Sequence, residues 1–205
     1  MNMALDHFEK HSYQKGKVDW NFNILFDDQP QIVQIAKEYA KLLTHPVLYP
    51  SIPTQWLHAT VLLVGTTDEY SEAEMLQVAE KLTPELAKLS LHEFLLGPWW
   101  IWSGNPVLHI TPEGPLVELF NLTLSTVKEV VGEKRTPKPS RFIPHITLAY
   151  SPTYDGEKEV HSQLSTKHIK PVKFRVSKLS LVKQRQASSY YDWKVIKELK
   201  TETTR

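Results

Sequence analysis

The apolar residues of this chain change their spacing repeatedly along the sequence, and this alternation restricts the possible folds more than any other feature. Alternate apolar residues predict half-buried strands, and apolar residues three or four apart predict amphipathic helices. The predicted strands cover residues 18–26, 57–64, 94–102, 107–110, 143–150, 172–182 and 190–196. The predicted helices cover residues 30–43, 72–82, 116–130 and 157–166. Strands and helices are mixed along the chain, which favours an α+β fold with antiparallel or mixed sheets over a doubly wound parallel sheet.

The length of 205 residues suits one compact domain, or one domain with two lobes. We expect an N-terminal extension over residues 1–17, a single domain over 18–197 and a C-terminal tail over 198–205. A hairpin over 103–106 is expected to join two of the strands. Ser71 and Glu74 fit a capping box at the start of a helix. Pro84 is expected to kink or restart that helix.

The composition excludes several classes of function. The 24 basic and 23 acidic residues give a net charge of +1, whereas a protein that coats long nucleic acid usually has a larger basic excess. A small charged ligand or the end of a nucleic acid remains compatible. The chain has no cysteine, which excludes disulfides, cysteine metal sites and thiol nucleophiles. With no signal peptide and no long apolar run, we expect a soluble cytoplasmic protein without a membrane partner.

Two segments of the sequence resemble each other. Residues 57–63 read Leu-His-Ala-Thr-Val-Leu-Leu, and residues 144–150 read Pro-His-Ile-Thr-Leu-Ala-Tyr. Residues two apart in a strand point to the same face, so His58 projects with Thr60 and His145 projects with Thr147. If the two lobes are related by a pseudo-twofold axis, the two pairs face each other across a cleft.

These four side chains suit phosphodiester chemistry. An imidazole titrates near neutral pH, so one histidine can accept a proton from an attacking water while the other donates one to the leaving oxygen. Threonine hydroxyls can hydrogen-bond the non-bridging phosphate oxygens, where negative charge is held in the transition state. We predict that this chemistry requires neither a metal nor a cofactor.

A third His-x-Thr segment, His109-Ile110-Thr111, serves as an internal comparison. Chance alone gives about 0.7 such segments in a chain of this composition, so one match carries little weight. Pro112 follows at once, and the predicted strand ends there. We therefore interpret His109 as an ordinary strand residue and Thr111 as the cap of the next helix.

The longer context of the first two segments resembles the 2H phosphoesterase superfamily, which has two His-x-Thr/Ser motifs. Residues 58–65 read His-Ala-Thr-Val-Leu-Leu-Val-Gly, and residues 142–149 read Phe-Ile-Pro-His-Ile-Thr-Leu-Ala. The chain is most similar to the 2'-5' RNA ligase or RNA 2',3'-cyclic phosphodiesterase family, over residues 18–197. The resemblance implies a bilobal α+β fold with two sheets, flanking helices and a central cleft, and with the motifs on central strands. It also implies metal-independent cleavage of a 2',3'-cyclic phosphate, with an ATP-independent joining reaction in some members.

One departure from the family affects the expected substrate. The RNA-processing branch often carries arginine directly after the second motif, where this chain has Tyr150. The loss of a cation weakens contact with RNA phosphates. Arg141, or the basic residues Lys134, Arg135 and Lys138 of the preceding loop, could supply the missing charge.

Four further residues are candidates for binding substrate: Trp102, Arg141, Phe142 and Tyr150. Phe142 could stack on a base or pack in the core. Trp99, Trp100 and Trp102 form an aromatic cluster, and the adjacent Trp99 and Trp100 cannot both face the core.

The leading hypothesis is a phosphodiesterase that hydrolyses a 2',3'-cyclic phosphate on an RNA end or a nucleotide. The sequence leaves open which histidine is the base and which ester bond breaks. One alternative is an enzyme that cleaves 2'-5'-linked or cyclic oligonucleotide signals. Another is a nucleotide-binding regulatory module without turnover. We expect a monomer in each case.

Overall fold

Two four-stranded sheets form the frame of the molecule in a computed structural model that describes residues 8, 16–44, 50–139, 141–152, 157–187 and 189–201. The strands are β1 Val18–Leu25, β2 His58–Thr66, β3 Phe94–Trp102, β4 Asn105–Thr111, β5 His145–Thr147, β6 Val172–Phe174, β7 Lys178–Gln186 and β8 Tyr191–Lys200. The helices in the described part are α1 Pro30–Ala40, α2 Glu72–Leu86, α3 Gly114–Val131 and α4 Glu157–Leu164, with short 3-10 turns at Thr54–Trp56 and Glu133–Arg135.

The first sheet has the order β2-β1-β7-β8 and the second has the order β5-β4-β3-β6. Every pair of neighbouring strands is antiparallel. The units β1–α1–β2 and β4–α3–β5 have the same arrangement, since a helix joins two adjacent antiparallel strands in each. The α+β class and the bilobal arrangement are therefore confirmed.

The expected position of the motifs within the sheets was wrong. Both motif strands, β2 and β5, are edge strands and not central ones. In the first sheet, β7 pairs with one side of β1. Strand β2, which follows α1, therefore pairs with the other side of β1 and forms the edge of the sheet. The two edges contact each other where the sheets meet, so the motif strands lie at the centre of the molecule.

Three strands differ from their predicted limits. The stretch 172–182 forms two strands, because the chain leaves the second sheet after Phe174 and enters the first at Lys178. Strand β5 covers only 145–147, although backbone bonds to β4 continue on both sides, from Ile110 to Pro144 and from Leu148 to Pro106. Strand β8 continues to Lys200, beyond the predicted end at Ile196.

The predicted capping box of α2 is confirmed, since Ser71 and Glu74 exchange both bonds. The helix continues through Pro84 to Leu86 and neither ends nor restarts there. The β3–β4 hairpin has a two-residue turn in which Ser103 and Gly104 both have positive φ angles, 50° and 78°. Such turns match the twist of antiparallel strands.

The apolar faces of the elements form a continuous core. Trp20, Phe22 and Ile24 of β1 are at most 2% exposed, as are Met75 and Leu82 of α2. Burying one large aliphatic side chain contributes about 1.5–3 kcal/mol. Of the predicted N-terminal extension, the structure describes only residues 8, 16 and 17. Of the predicted C-terminal tail it describes residues 198–201, of which 198–200 belong to β8. Within the described residues, the helices are too short or too polar to cross a membrane.

Candidate active site

A cleft of about 550 Å³ opens where β2 and β5 meet. The four motif side chains, His58, Thr60, His145 and Thr147, all line it. The structure thus brings together two pairs that are 87 residues apart in sequence, as the strand parity of the two motifs predicts.

The two histidines are held in the same way. The Nδ1–H group of His58 donates to the carbonyl oxygen of Trp56 at 3.0 Å, and that of His145 donates to the carbonyl of Ile143 at 2.7 Å. A carbonyl oxygen can only accept, so Nδ1 carries the proton in each ring. Each neutral histidine therefore has Nε2 available to accept a proton, and the protonated form donates from the same atom.

Burial shifts the charge state of both rings. Desolvation lowers the pKa of His58 to about 4 from its ordinary value of 6.5, against the opposing effect of the Trp56 carbonyl. Desolvation also lowers the pKa of His145, and the Ile143 carbonyl opposes this shift. A neighbouring histidine adds a smaller repulsion in each case, His145 toward His58 and His109 toward His145. Both rings therefore favour the neutral form in the absence of an anion.

The hydroxyl groups of the motif threonines are half-buried in the cleft wall. Within the described residues, neither Thr60 nor Thr147 forms a side-chain hydrogen bond. A hydroxyl in this state can donate to an oxygen of a bound ligand. The two pairs can therefore flank one phosphate group, with a histidine and a threonine on each side.

The four predicted substrate-binding residues also line the cleft. Arg141 is exposed, and Phe142 stacks face to face on Phe120 with a ring separation of 4.9 Å. Trp102 contacts Trp100. Trp100 is 44% exposed, so one member of the adjacent pair Trp99 and Trp100 lies at the surface, as expected. Their roles in binding stay predictions.

Tyr150 lines the cleft for a reason that strand parity missed. Parity places its side chain away from the face of Thr147, but β5 ends at Thr147, so the alternation stops before Tyr150. The ring is 5% exposed and contacts Tyr191 and Phe8. Phe8, within the expected N-terminal extension, is itself buried.

The basic loop before the second motif has its arginine already engaged. Arg135 donates to Glu74 of α2 at 2.5 Å and to the backbone carbonyl of Glu69. The Tyr70 hydroxyl donates to the carbonyl of Arg135. Arg135 therefore anchors the loop and does not compensate for the cation missing at Tyr150, whereas Lys138 and Arg141 line the cleft.

Gly65, at the end of the first motif, leaves room for the ring of Tyr70, whose hydroxyl donates to the carbonyl of Arg135. Its φ angle is +145°, and a Cβ atom there would lie 2.6 Å from the ring of Tyr70. Any larger residue would displace the tyrosine that the basic loop packs against.

Three further cleft residues, Tyr191, Asn21 and Gln184, are not among the predicted site residues. Tyr191 and Trp193 belong to the predicted strand 190–196, yet Tyr191 lines the cleft and the Trp193 ring packs edge-on against His58 at 4.8 Å. Asn21 and Gln184 also line it. The sequence does show polar side chains at alternate positions of β1, among them Asn21 and Asn23. Alternation predicts that such side chains face solvent, whereas the structure buries them.

In the third His-x-Thr segment, the prediction for His109 is confirmed and the prediction for Thr111 is wrong. His109 lies in β4, as predicted, and its Nε2–H donates to Glu113 at 2.9 Å. Thr111 does not cap α3, because it still pairs with Leu95 in the β3–β4 ladder. Helix α3 begins at Gly114, after Glu113. Within the described residues, no group of three or more histidine or acidic side chains is placed to hold a metal ion.

Comparison with solved structures identifies the fold. TT0787 of Thermus thermophilus has a TM-score of 0.66 and 18% identity, over 91% of this chain and 100% of its own. E. coli LigT in complex with 3'-AMP has a TM-score of 0.58 and 18% identity, over 89% and 97%. LigT has also been crystallised with ATP, at a TM-score of 0.58 and 18% identity over 91% and 99%. No curated protein sequence matches the chain.

The family model of the 2'-5' RNA ligase superfamily matches residues 29–187, which include both motif strands, the whole second sheet, and β2 and β7 of the first sheet. The match covers more than half of the chain. The protein belongs to the 2'-5' RNA ligase superfamily of 2H phosphoesterases.

Proposed function

We propose that the protein is a phosphodiesterase that hydrolyses a 2',3'-cyclic phosphate on an RNA end or a nucleotide. The observation that carries this proposal is the matched anchoring of His58 and His145, since each presents Nε2 to one cleft. Two imidazoles with the same tautomer, one on each motif strand of a single cleft, suit proton transfer at both ends of a phosphoryl transfer.

The reaction proceeds by in-line attack of water on phosphorus. One histidine accepts a proton from the water through Nε2 as the new P–O bond forms. The other donates its Nε2 proton to the ribose oxygen as the old P–O bond breaks. The product carries a phosphomonoester and a free ribose hydroxyl. Thr60 and Thr147 donate hydrogen bonds to the non-bridging oxygens, whose charge increases in the transition state.

The substrate itself supplies part of the required charge state. Both histidine pKa values are lowered in the free protein, so the general acid starts mostly neutral at pH 7. A bound phosphodiester anion between the rings favours protonation, because an opposite charge within a few ångströms raises a histidine pKa. The proposed mechanism therefore uses substrate binding to protonate the acid.

Three further observations support a nucleotide as the substrate. Aromatic side chains, Trp102, Phe142 and Tyr191 among them, line the same cleft as the histidines. LigT, which shares the fold, binds 3'-AMP and ATP. Lys138 and Arg141 at the rim provide positive charge for a phosphate chain.

The test is turnover in the presence of EDTA on a panel of phosphodiesters. The panel holds 2',3'-cyclic nucleotides, RNA ending in a 2',3'-cyclic phosphate, 2'-5' oligoadenylate and a linear 3'-5' dinucleotide. His58→Ala and His145→Ala should each lower kcat by about 10²–10⁴-fold. His168→Ala, at an exposed histidine outside the cleft, is the matched control.

Each outcome assigns the function. Turnover of cyclic ends that either histidine variant abolishes supports the proposal. Turnover of 2'-5' linkages alone assigns the protein to the cleavage of oligonucleotide signals. Tight nucleotide binding without turnover, retained in both variants, identifies a binding module and overturns the proposal. Loss of activity in EDTA, with recovery on adding a divalent cation, overturns the metal-independent mechanism.

A further inference from the structure

A row of buried polar side chains lies on the cleft side of the first sheet. Asn21, Asn23, Ser180 and Gln184 are between 0% and 3% exposed. Asn23 lies directly opposite Thr60 in the β1–β2 ladder, and paired residues share a face of the sheet. Thr60 lines the cleft, and so do Asn21 and Gln184.

The hydrogen bonding of this row is incomplete. The Asn23 Nδ2 group donates to Gln184 Oε1 at 3.0 Å. Asn21 Oδ1, Asn23 Oδ1 and Ser180 Oγ have no hydrogen-bond partner in the described residues. A buried polar atom without a partner costs about 1–3 kcal/mol. Such atoms are rare in folded proteins, so three of them beneath one cleft require partners, which are either bound water or a ligand.

The chemistry of the row favours an uncharged ligand over a second phosphate. The side chains are neutral, and the unpartnered oxygen of Asn21 is an acceptor that would repel a phosphate oxygen. This oxygen requires an N–H or O–H donor. The two cleft-lining amides together offer both donors and acceptors, which is the combination that asparagine and glutamine use to recognise the edge of a base.

Position and surroundings favour a base over a sugar hydroxyl. Asn21 lies two residues along β1 from Asn23, about 7 Å from the position opposite Thr60. This spacing leaves room for a ribose between a phosphate at Thr60 and a group bound at Asn21. Trp102, which is half-buried, and Phe142 line the same cleft, and aromatic rings stack on bases.

We propose that Asn21 and Gln184 recognise the hydrogen-bonding edge of the nucleobase attached to the cyclic phosphate. This inference rests on the proposed function. The amide row then selects nucleosides over other cyclic phosphodiesters, while the histidines and threonines act on the phosphate.

The test replaces each amide by an apolar residue of similar shape, in Asn21→Leu and Gln184→Met. Two substrates are compared, a nucleoside 2',3'-cyclic phosphate and methyl β-ribofuranoside 2,3-cyclic phosphate, which has a methoxy group in place of the base. We expect kcat/KM on the nucleoside substrate to fall about 10- to 100-fold in each variant. The value on the methyl riboside should change less than about twofold, because the amides contact only the base.

Ser180→Ala is the matched control, since Ser180 is an equally buried, unpartnered group on the same face that does not line the cleft. It should leave the preference for the nucleoside unchanged. Thermal unfolding of all three variants provides a second readout. Asn21→Leu and Ser180→Ala remove a buried oxygen that has no partner and are expected to leave Tm unchanged or raise it. Gln184→Met also removes the acceptor of Asn23 Nδ2, so its Tm is expected to fall, and its activity is measured at a temperature at which the variant is folded.

The outcomes distinguish the two proposals. An equal fall on both substrates, or no fall on either, overturns base recognition, and the second result means that the amides hold structural water. If the wild type cleaves no cyclic phosphate, the proposed function fails by itself. Calorimetric binding of 3'-AMP and ribose 5-phosphate then tests the amides directly, and equal loss or retention of both ligands in Asn21→Leu overturns base recognition.

Discussion

His109 lies directly opposite His145 in the ladder between β4 and β5, so both side chains project from the same face of the second sheet. His109 also donates to Glu113, which fixes its ring beside the second motif. A histidine from the segment that the sequence treats as a chance match therefore lies next to the candidate catalytic pair.

This proximity makes the charge state of His145 depend on His109. Repulsion from His109 contributes to the lowered pKa of His145. We expect His109→Gln to raise the pKa of His145, measured by NMR titration of its ring signals. The corresponding limb of the kcat/KM profile should move to higher pH. His161→Gln, at a histidine that packs on Trp99 outside the cleft, should move neither. A His145 titration that is identical in His109→Gln and the wild type would contradict this coupling.

The buried state of His58 predicts a specific loss of stability in acid. Its pKa is about 4 in the folded protein and 6.5 in the unfolded chain, so between these values the unfolded state binds a proton that the folded state does not. The free energy of unfolding therefore decreases as the pH falls through this window. The contribution reaches about 3 kcal/mol at pH 4.

Urea titrations at pH 7 and pH 4 measure this contribution. The wild type should lose about 3 kcal/mol more than His58→Asn, because the asparagine has no proton to gain. Parallel losses in the two proteins would show that His58 does not carry the acid sensitivity. His168→Asn, at an exposed histidine, should behave like the wild type.

The sequence predicted the fold class and the four central side chains because both depend on local patterns. Period-two alternation located most of the strands, and the parity of His58 with Thr60 and of His145 with Thr147 placed each pair on one face. The pairing order of the strands is not local. The position of β2 and β5 at sheet edges, and the crossing of the chain from β6 to β7, depend on tertiary packing.

The cleft residues that the sequence did not identify were missed for the same physical reason, because their burial depends on tertiary packing. Asn21 and Asn23 alternate with apolar residues, which is also the pattern of a strand with one solvated face. Their exposure of 1% and 0% shows that tertiary packing buries this face as well. Arg135 is a residue for which the sequence suggested too much. Its charge suggested a contact with a substrate phosphate, whereas the structure pairs it with Glu74.

The anchoring of the basic loop by Arg135 predicts an effect on substrate binding. Arg135→Ala removes the contacts to Glu74 and to the Glu69 carbonyl, which hold the loop that carries Lys138 and Arg141. We expect KM to rise several-fold with kcat nearly unchanged, because the loop residues are proposed to bind substrate and not to take part in proton transfer.

The matched control for Arg135 is Lys81→Ala, which breaks the exposed Lys81–Glu129 ion pair between α2 and α3. Each change should alter the free energy of unfolding by less than about 1 kcal/mol, since both pairs are solvent-exposed. Only Arg135→Ala should alter KM. A large fall in kcat with constant KM would instead place Arg135 in the chemical step.

The two motif threonines should contribute to catalysis in the transition state and little to ground-state binding. Thr60→Val and Thr147→Val replace the hydroxyl by a methyl group of the same shape. If each hydroxyl donates to a non-bridging oxygen whose charge grows during the reaction, its removal should lower kcat by about 10²-fold with a small change in KM. Thr60→Ser and Thr147→Ser keep the hydroxyl and should retain most of the activity.

Thr111→Val provides the matched control, because it alters the threonine of the third His-x-Thr segment, which lies at the end of β4 and not in the cleft. Its kcat should equal that of the wild type. The matched placement of the two motifs predicts similar losses for Thr60→Val and Thr147→Val, since each hydroxyl is proposed to donate to the phosphate from its own motif strand. A loss confined to one variant would mean that only one wall stabilises the transition state, and an increase in KM alone would make the hydroxyls ground-state binding groups.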